Sequence, residues 1–513
     1  MVTYILRRLL LMIPTLIGIT FVVFMLIAMS PGGIGAGLLV SGGAMQSQSQ
    51  IAIQKAKLED RYGLNEPAVV QYVRWLGRVS PIKFGRRDLV SPSGELITRP
   101  RPVPTPSVWK WFAEELPRSS PPTAEWLAER FGDRPPEERA RAFRLIEGEY
   151  VEARARLVAA QALLSDALKT YAEETGNRSL LDSKREPRLR AFERFTPDRS
   201  HAAFADIERH ARVAIDAYGA AAQARLRFIA AMDRAPFPQD GVAIIPGVVS
   251  LAWPDLGIAF SRGQPVIKLI GQALPVTLML NLIAFPIIYL VAIPSGMAAA
   301  TRKGTFVDVG LGGLYLALFS IPTVLAGVLL QGFLANPDYF NLFPTAGLSS
   351  KGAETFRMLP GADFAGEWHR GWLLDRVWHV VLPVACLVYA SFAVISKQTR
   401  AAMLENFNAD YVRTAKAKGV APRDIVLRHV FRNSLLPLIT MFVTIFPAML
   451  AGSVVIEKIF TVPGMGLLLI EAINLRDREL ILANAAMIAV VNLCALLLAD
   501  ILYALADPRI TYR

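Results

Sequence analysis

The stretch Asp410-Tyr-Val-Arg-Thr-Ala-Lys-Ala-Lys-Gly419-Val-Ala-Pro422-Arg-Asp-Ile-Val-Leu-Arg-His-Val-Phe-Arg432 decides the reading of this chain. Asn408 or Asp410 suits a helix N-cap, because a short side-chain oxygen accepts from the first free backbone N–H groups. Tyr411, Val412 and Ala415 then give the helix an apolar side at i+3 and i+4 spacing. Gly419 suits the left-handed position that ends a helix. Pro422 suits the first turn of the next one, where no N–H is needed. Asp424 and Arg428 stand at i, i+4, with Arg432 continuing that face. Leu427, Val430 and Phe431 supply a second apolar side. The segment therefore reads as two short amphipathic helices, sharply bent and dense in Arg and Lys. Charge alone would lay it on anionic headgroups. The bend favours a helix that inserts into a groove on a cytoplasmic partner, since lying on a surface needs no break.

Working outward, the chain alternates loops with long uncharged runs. It has 513 residues, of which 53% are hydrophobic. About 20 apolar residues cross a bilayer as a helix. Six runs qualify: Leu9–Met29, Ala273–Ala300, Val309–Ala335, Val377–Ser396, Leu435–Ile456 and Ile481–Leu505. The prolines inside them are tolerated because neighbouring helices satisfy the freed backbone groups. The first run is too long for a signal peptide, and no small-residue cleavage site follows it. It is expected to be a retained helix. The fold class expected is an all-α membrane protein of six spans, with residues 1–30 as the first and 273–513 holding the other five.

Charge fixes the expected orientation. The excess of +12 sits beside the spans, since Arg86–Asp240 holds 26 basic and 24 acidic residues. That argues against nucleic-acid binding. Arg7 and Arg8, Arg302 and Lys303, the segment Lys397–Arg432, and Arg509 with Arg513 all fall on one side of a six-span topology. Basic short loops stay in the cytoplasm, so both termini are expected there. The segment 31–272 then faces outward. Trp253, Trp368, Trp372 and Trp378 lie near the expected interfaces, where indole rings favour the headgroup region.

The outward segment has parts of its own. Gln48–Val79 reads as helical, and the Pro-rich Arg99–Pro122 as irregular. Glu137–Thr175 places Phe143, Ile146, Tyr150, Ala153, Leu157, Ala160, Leu164, Ala167 and Tyr171 on a heptad. Ala202–Met232 does the same with Phe204, Ile207, Ala211, Ala214, Tyr218, Ala221, Phe228 and Met232, interrupted by Arg225. Two seams of period 3.5 predict a helical hairpin over about 137–232, packed as a coiled coil. Its linker, Gly176–Arg199, is polar and charged. Heptads leave open whether the hairpin is a rigid decoration or a docking surface.

The bent loop also resembles the cytoplasmic loop of ABC-importer permeases. Their pattern is Glu-Ala-Ala, three residues, Gly, nine residues, Ile-x-Leu-Pro. Arg413-Thr414-Ala415 takes the first place and Gly419 the Gly, while His429–Arg432 departs from the last. The dipeptide/oligopeptide branch departs similarly, and this chain follows that branch from Tyr411 through Lys418-Gly419 to Asn433, Leu436 and Pro437. Tyr4-Ile-Leu-Arg-Arg-Leu-Leu, Ser30-Pro-Gly-Gly33, Ala273-Leu-Pro-Val-Thr-Leu278, Phe460-Thr-Val-Pro-Gly-Met-Gly-Leu467 and Leu505-Ala-Asp-Pro-Arg-Ile510 resemble the B-type membrane subunit. The Ser-Pro-Gly-Gly and Tyr339-Phe-Asn-Leu-Phe-Pro344 strings lean toward permeases for oligopeptides and antibiotics of the microcin C kind. The family's segment around Asp-Phe-Gly is split, with Phe84-Gly85-Arg86 on one side and Asp255–Ser261 on the other. Arg86–Ser250 thus reads as a large insertion after the first span.

The resemblance implies a type I permease fold in a bacterial inner membrane. It implies a second homologous permease subunit, two cytoplasmic ATPase subunits that use ATP and magnesium, and an extracytoplasmic solute-binding protein. The coupling loop, about 397–434, would receive the ATPases through Asp410, Tyr411, Arg413, Thr414, Ala415, Lys418, Gly419, Pro422, Arg428 and Arg432. Asn281, Asn484 and Asn492 either line the path or link helices. The chain carries no phosphate loop of its own, and neither His-Glu-x-x-His nor Gly-x-Ser-x-Gly. It is therefore expected to be a transport subunit without catalytic residues, cofactor or metal. Asp500, an acid inside a span, is open between a functional and a structural role. Cys386 and Cys494 read as small buried residues. Related importers carry nickel complexes or sugars, so the cargo class stays open. An ion-coupled carrier would need midplane charges or an internal repeat of spans. A sensor built around the hairpin is the other rival.

Overall fold

The computed structural model describes residues 2–29, 62–435 apart from short stretches at 64–65, 93, 95, 107, 113–115, 183–184, 186 and 363–367, then 437–439, 441 and 453–506. In chain order the main helices are α1 (Val2–Met29), α2 (Ala68–Val79), α3 (Pro136–Glu174), α4 (Ala202–Met232), α5 (Val266–Thr301), α6 (Phe306–Ser320), α7 (Thr323–Leu330), α8 (Trp372–Phe407), α9 (Asp410–Ala417), α10 (Met465–Asn474) and α11 (Arg478–Ala506). Strands β1 (Ile82–Phe84), β2 (Leu89–Val90), β3 (Leu96–Ile97), β4 (Val242–Ile245) and β5 (Val249–Leu251) are short. The chain divides into two compact units, Met1–Gly33 with Leu256–Arg513, and Ile34–Asp255.

In the first unit, α1, α5, α8 and α11 are each long and apolar enough to cross a membrane. The third expected span is not straight. It breaks between α6 and the helical stretch that begins at Thr323, with an angle of 87°. Pro322 drives the break, since the residue before a proline is pushed out of the helical region. Ile321 accordingly sits at φ −84, ψ 116. By contrast Pro275, Pro286 and Pro294 all lie inside the unbroken α5. The fifth expected span, Leu435–Ile456, falls largely outside the described residues, as do Ser30–Gly33, residues 48–61 of the expected helix Gln48–Val79, and the terminal residues 507–513.

Helices α5 and α8 pack along their length. Leu280, Ala284, Ile288 and Ala292 meet Val380, Leu387 and Ile395 in one core. Ala, Gly and Ser on the facing sides let two membrane helices approach closely. Leu10, Ile13 and Leu26 of α1 are exposed instead. Lipid supplies no force to bury them, so an apolar outer face is expected of a spanning helix. Cys386 is buried as expected, but Cys494 is exposed on α11, where an apolar surround makes burial unnecessary.

In the second unit, α3 and α4 form an antiparallel pair. Phe143 and Tyr150 near the start of α3 meet Phe228 near the end of α4, with centroids 5.4 and 5.2 Å apart. At the other end Leu168 and Tyr171 share a core with Phe204 and Ile207. The heptad residues of α3 are buried except Ala167, which is half-buried. Those of α4 are buried except Tyr218, and Arg225 is half-buried. Burial extends beyond a two-stranded seam, because Val158, Leu168, Ala172 and Ile215 are covered too. The surrounding chain does this: Trp111 packs on Phe204 at 6.2 Å and Phe237 on Phe143 at 5.3 Å. The linker is likewise more than a solvated turn, since Leu180, Leu181 and Phe192 are buried against the hairpin. Leu157 is fully buried between the helices. Leu157→Ala should cost about 2–5 kcal/mol. Limited proteolysis of the full chain should show faster cleavage within 137–232, while a rate equal to wild type would refute the buried seam.

The boundaries of the extra stretch meet. β1 pairs antiparallel with β5, Ile82 opposite Leu251 and Phe84 opposite Val249. β5 pairs in turn with β4, giving the order β1-β5-β4. Residues more than 150 apart in sequence therefore lie side by side.

Candidate functional site

The bent loop begins where α8 ends. That helix runs to Phe407, so Lys397–Phe407 continue the membrane helix instead of forming loop. The N-cap of α9 is Ala409, at φ −70, ψ 148, with no side-chain cap. This corrects the expected capping by Asn408 or Asp410. Asn408 Nδ2 donates back to the Leu404 carbonyl at 3.2 Å, and Asp410 is the first helical residue. There its carboxylate complements the positive end of the helix and stands 3.6 Å from Arg413.

Val412 and Ala415 are buried as expected, packed with Ala300, Met403, Ile425 and Val430. Tyr411 is not part of that side. Its hydroxyl donates to Asn406 Oδ1 at 2.6 Å. Asn406 Nδ2 in turn donates to Ala402 O at 2.9 Å and Ser434 Oγ at 3.1 Å. Asn406 thus ties both arms of the loop to α8. Sequence reasoning missed it, because its partners lie 5 and 28 positions away.

The bend is a complete Schellman turn. Gly419 has φ +74. Its N–H donates to Lys416 O at 3.0 Å, and the Val420 N–H to Ala415 O at 3.2 Å. Val420 packs beside Ala415 in the same core. Pro422 then opens the next helix behind Ala421 at φ −55, ψ 140. From Ile425 to Phe431 that helix is wound as a π-helix, which no sequence signal announced. Such wider turns recur at functional positions. Its buried side is Ile425 and Val430, while Leu427 is exposed, contrary to the even period assumed for it. Asp424 and Arg428 pair at 3.3 Å. Arg413, Thr414, Lys418, Gly419, Pro422, Arg428 and Arg432 all lie exposed. The loop is thus a clamped apolar underside beneath an open basic surface.

A second cluster joins helices distant in sequence. Glu457 is fully buried. Its carboxylate accepts from Thr277 Oγ1 at 2.6 Å and from the Gly466 and Leu467 N–H groups at 2.6 and 3.0 Å. It occupies the N-terminus of α10, where free N–H groups and the helix dipole favour an anion. Gly464 and Gly466 permit this approach, since a Cβ on either would fall within 3.0 Å of the carboxylate. The Pro-Gly-Met-Gly string thereby acquires a physical reason. Thr277 Oγ1 also accepts from the Met465 N–H at 2.8 Å, and Asn484 Nδ2 donates to Met465 O at 2.9 Å. Asn484 therefore links α11 to α10. Asn281 is buried and donates to Thr277 O at 2.7 Å, and Asn492 is half-buried on α11.

Ion pairs also tie helices of this unit together. Asp308 accepts both Nε and Nη2 of Arg400, at 2.6 and 2.8 Å, which joins α6 to α8 in a forked bridge. Arg8 Nε stands 3.0 Å from Asp500, which joins α1 to α11 and gives Asp500 a structural partner. Asp477 precedes α11 and accepts from the Ser261 N–H and Oγ, both at 2.9 Å. Its burial pushes the carboxyl pKa up, against the pull of those bonds. Among the described residues, no group of His, Cys, Asp and Glu is arranged to hold a metal ion.

Residues 292–512 match the family described as "Binding-protein-dependent transport system inner membrane component". The inner membrane ABC transporter permease protein YejB of Escherichia coli O157:H7 is 36% identical over 259 residues, covering 50% of this chain and 68% of the relative. The oligopeptide transport system permease protein AppB of Bacillus subtilis is 36% identical, covering 50% and 76%. The dipeptide transport system permease protein DppB of Bacillus subtilis is 35% identical, covering 50% and 74%. A solved structure of the inward-facing MetNI methionine ABC transporter aligns with 47% of this chain and 97% of its own, at 12% identity and a TM-score of 0.36. With several bilayer-length apolar helices and relatives of this closeness, the chain belongs to the binding-protein-dependent transport system inner membrane components, the multi-pass permeases of ABC transporters.

Proposed function

We propose that this chain is the B-type permease subunit of an ATP-driven importer of peptides, and that it forms the translocation path with a second permease subunit. The bent loop carries the reading. A basic open surface, held from beneath by Val412, Ala415, Ile425 and Val430, suits a lever pressed by a partner. The similarity to AppB and DppB, permeases of an oligopeptide and a dipeptide transport system, supports peptides as the cargo. Two cytoplasmic ATPases bind ATP with magnesium and close. Their movement enters through Asp410–Arg432, and a solute-binding protein delivers the peptide on the opposite side. A bilayer-embedded bundle with two arrangements is biased by a partner that prefers one of them.

In this reading both termini face the cytoplasm with the loop. The links among Thr277, Glu457, Met465 and Asn484 hold the end of the bundle opposite the loop. Asn484 acts there by joining α11 to α10, Asn281 bonds back within α5, and Asn492, with its side chain half-buried, lines the path. The stretch Arg86–Ser250 is an insertion into the permease, which the pairing of Ile82 with Leu251 supports. Proteoliposomes holding this chain, its second permease and the ATPases should accumulate a labelled oligopeptide only with ATP and the binding protein. Uptake that persists without the ATPases would overturn the proposal.

A further inference from the structure

One face of the sheet β1-β5-β4 reverses the usual distribution of side chains. Directly opposed residues of an antiparallel pair share a face. One row across the sheet is Ile82, Leu251 and Val242, and the next is Phe84, Val249 and Ile245. All six are apolar, yet Phe84 is 80% and Val242 is 70% exposed. The opposite face carries Lys83, Ser250 and Ala243. Ser250 is buried, and the Lys83 ammonium donates to the carbonyls of Gly77, at 3.0 Å, and Arg78. Burial lowers the Lys83 pKa, with Asp255, Asp240 and Asp88 opposing that shift. A sheet with one wet face normally turns polar residues outward and apolar ones inward. This sheet does the reverse.

The tip extends the pattern. Ile244, Ile245, Pro246, Gly247 and Val248 are all exposed. From Gly241 to Trp253 the chain carries no charged residue. Trp253 is 87% exposed. Contiguous apolar surface of this kind marks a membrane or protein contact.

We propose that this sheet face and the Ile244–Val248 tip rest in the lipid leaflet on their own side of the membrane, at the boundary of headgroups and acyl chains. Three observations favour lipid over a protein. Continuity is the first: Leu251 lies 15 positions before Val266, where the bilayer-length helix α5 begins. Composition is the second. A protein interface carries a polar rim that sets orientation, and neither these rows nor the tip hold a polar side chain. The third is Trp253, an indole that falls in sequence between the sheet and the span, of the kind that settles at membrane interfaces. Arg87 stands beside the sheet with its Nη1 donating to Gly241 O at 2.9 Å, near where headgroup phosphates would lie.

The test uses the full chain in lipid bilayers, with Cys386 and Cys494 replaced by serine. Single cysteines are introduced by Ile245→Cys, Phe84→Cys and, as a control on the hairpin, Leu163→Cys. Each carries an environment-sensitive nitrobenzoxadiazole probe, and all three sites are exposed, so labelling removes no buried contact. Lipids bearing a doxyl quencher near the headgroup should reduce emission about two-fold at 245 and 84, because interfacial segments sit about 5–10 Å into the boundary. Emission at 163 should not change. Water-like emission at 245 and 84, unaffected by doxyl lipid, would overturn the proposal. Shielded emission that doxyl lipid fails to quench would overturn it as well, and would assign the face to a protein partner. Peptide uptake is a separate measurement, so failure here leaves the importer reading intact.

Discussion

Gly419→Val is expected to abolish peptide-dependent growth and to weaken association with the ATPases about tenfold, while the chain still inserts in the membrane. The effect comes from backbone conformation, not from crowding. Gly419 has φ +74, and a Cβ there would meet nothing within 4 Å. A β-branched residue resists the left-handed region at a cost of about 1–2 kcal/mol. The Gly419 and Val420 N–H groups would lose their bonds to Lys416 O and Ala415 O. The two arms of the bent loop would then change angle. Gly419→Asn supplies the control, because asparagine tolerates this conformation. It should keep most of the growth and most of the ATPase bound. Equal loss in both variants would point to a contact with the glycine surface instead. No loss in either would remove the lever from the mechanism.

Glu457→Ala is expected to lower the thermal stability of the purified chain sharply. Four donors converge on that carboxylate: the Thr277 and Ser453 hydroxyls and the Gly466 and Leu467 N–H groups. Each buried donor left without an acceptor costs about 1–3 kcal/mol, so the sum is roughly 3 kcal/mol or more. Glu457→Gln keeps one oxygen but turns an amide toward N–H groups, and should fall between wild type and alanine. Gly466→Ala should reproduce much of the loss, since its Cβ would lie 2.9 Å from the Glu457 Oε2 and closer still to the Val454 backbone. A fluorescence-monitored melt of detergent-solubilised protein reads all three. An alanine variant that melts with wild type would show that the cage is dispensable.

The sheet, the hairpin and the loop differ in how far they could be read in advance. Hairpin helices expected over 137–175 and 202–232 are observed at Pro136–Glu174 and Ala202–Met232. Their apolar period is local and repeats many times, so each turn restates the same information. The burial of the linker between them was not legible, because Leu180, Leu181 and Phe192 stand among charges and show no period. Burial came from surfaces supplied elsewhere in the chain. In the loop, Gly419 and Pro422 were legible because each restricts its own backbone. Ala409 as N-cap was not, because the better-suited Asn408 side chain was drawn off to Leu404, and the π-winding of Ile425–Phe431 left no mark in the sequence.

The sequence by itself determined the class of molecule: long apolar runs, a basic helix–Gly–helix unit between two of them, and a period-3.5 hairpin after the first. These follow from bilayer thickness, backbone restrictions and helical periodicity, all of which act over a few residues. Only the tertiary structure decided the rest. It bent the third span at Pro322, seated Glu457 on residues 180 positions before it and nine after, joined Asp308 to Arg400 and Arg8 to Asp500, and turned an apolar sheet face outward. Those choices depend on which distant groups arrive together and satisfy one another, and a donor or charge in a sequence does not name its partner.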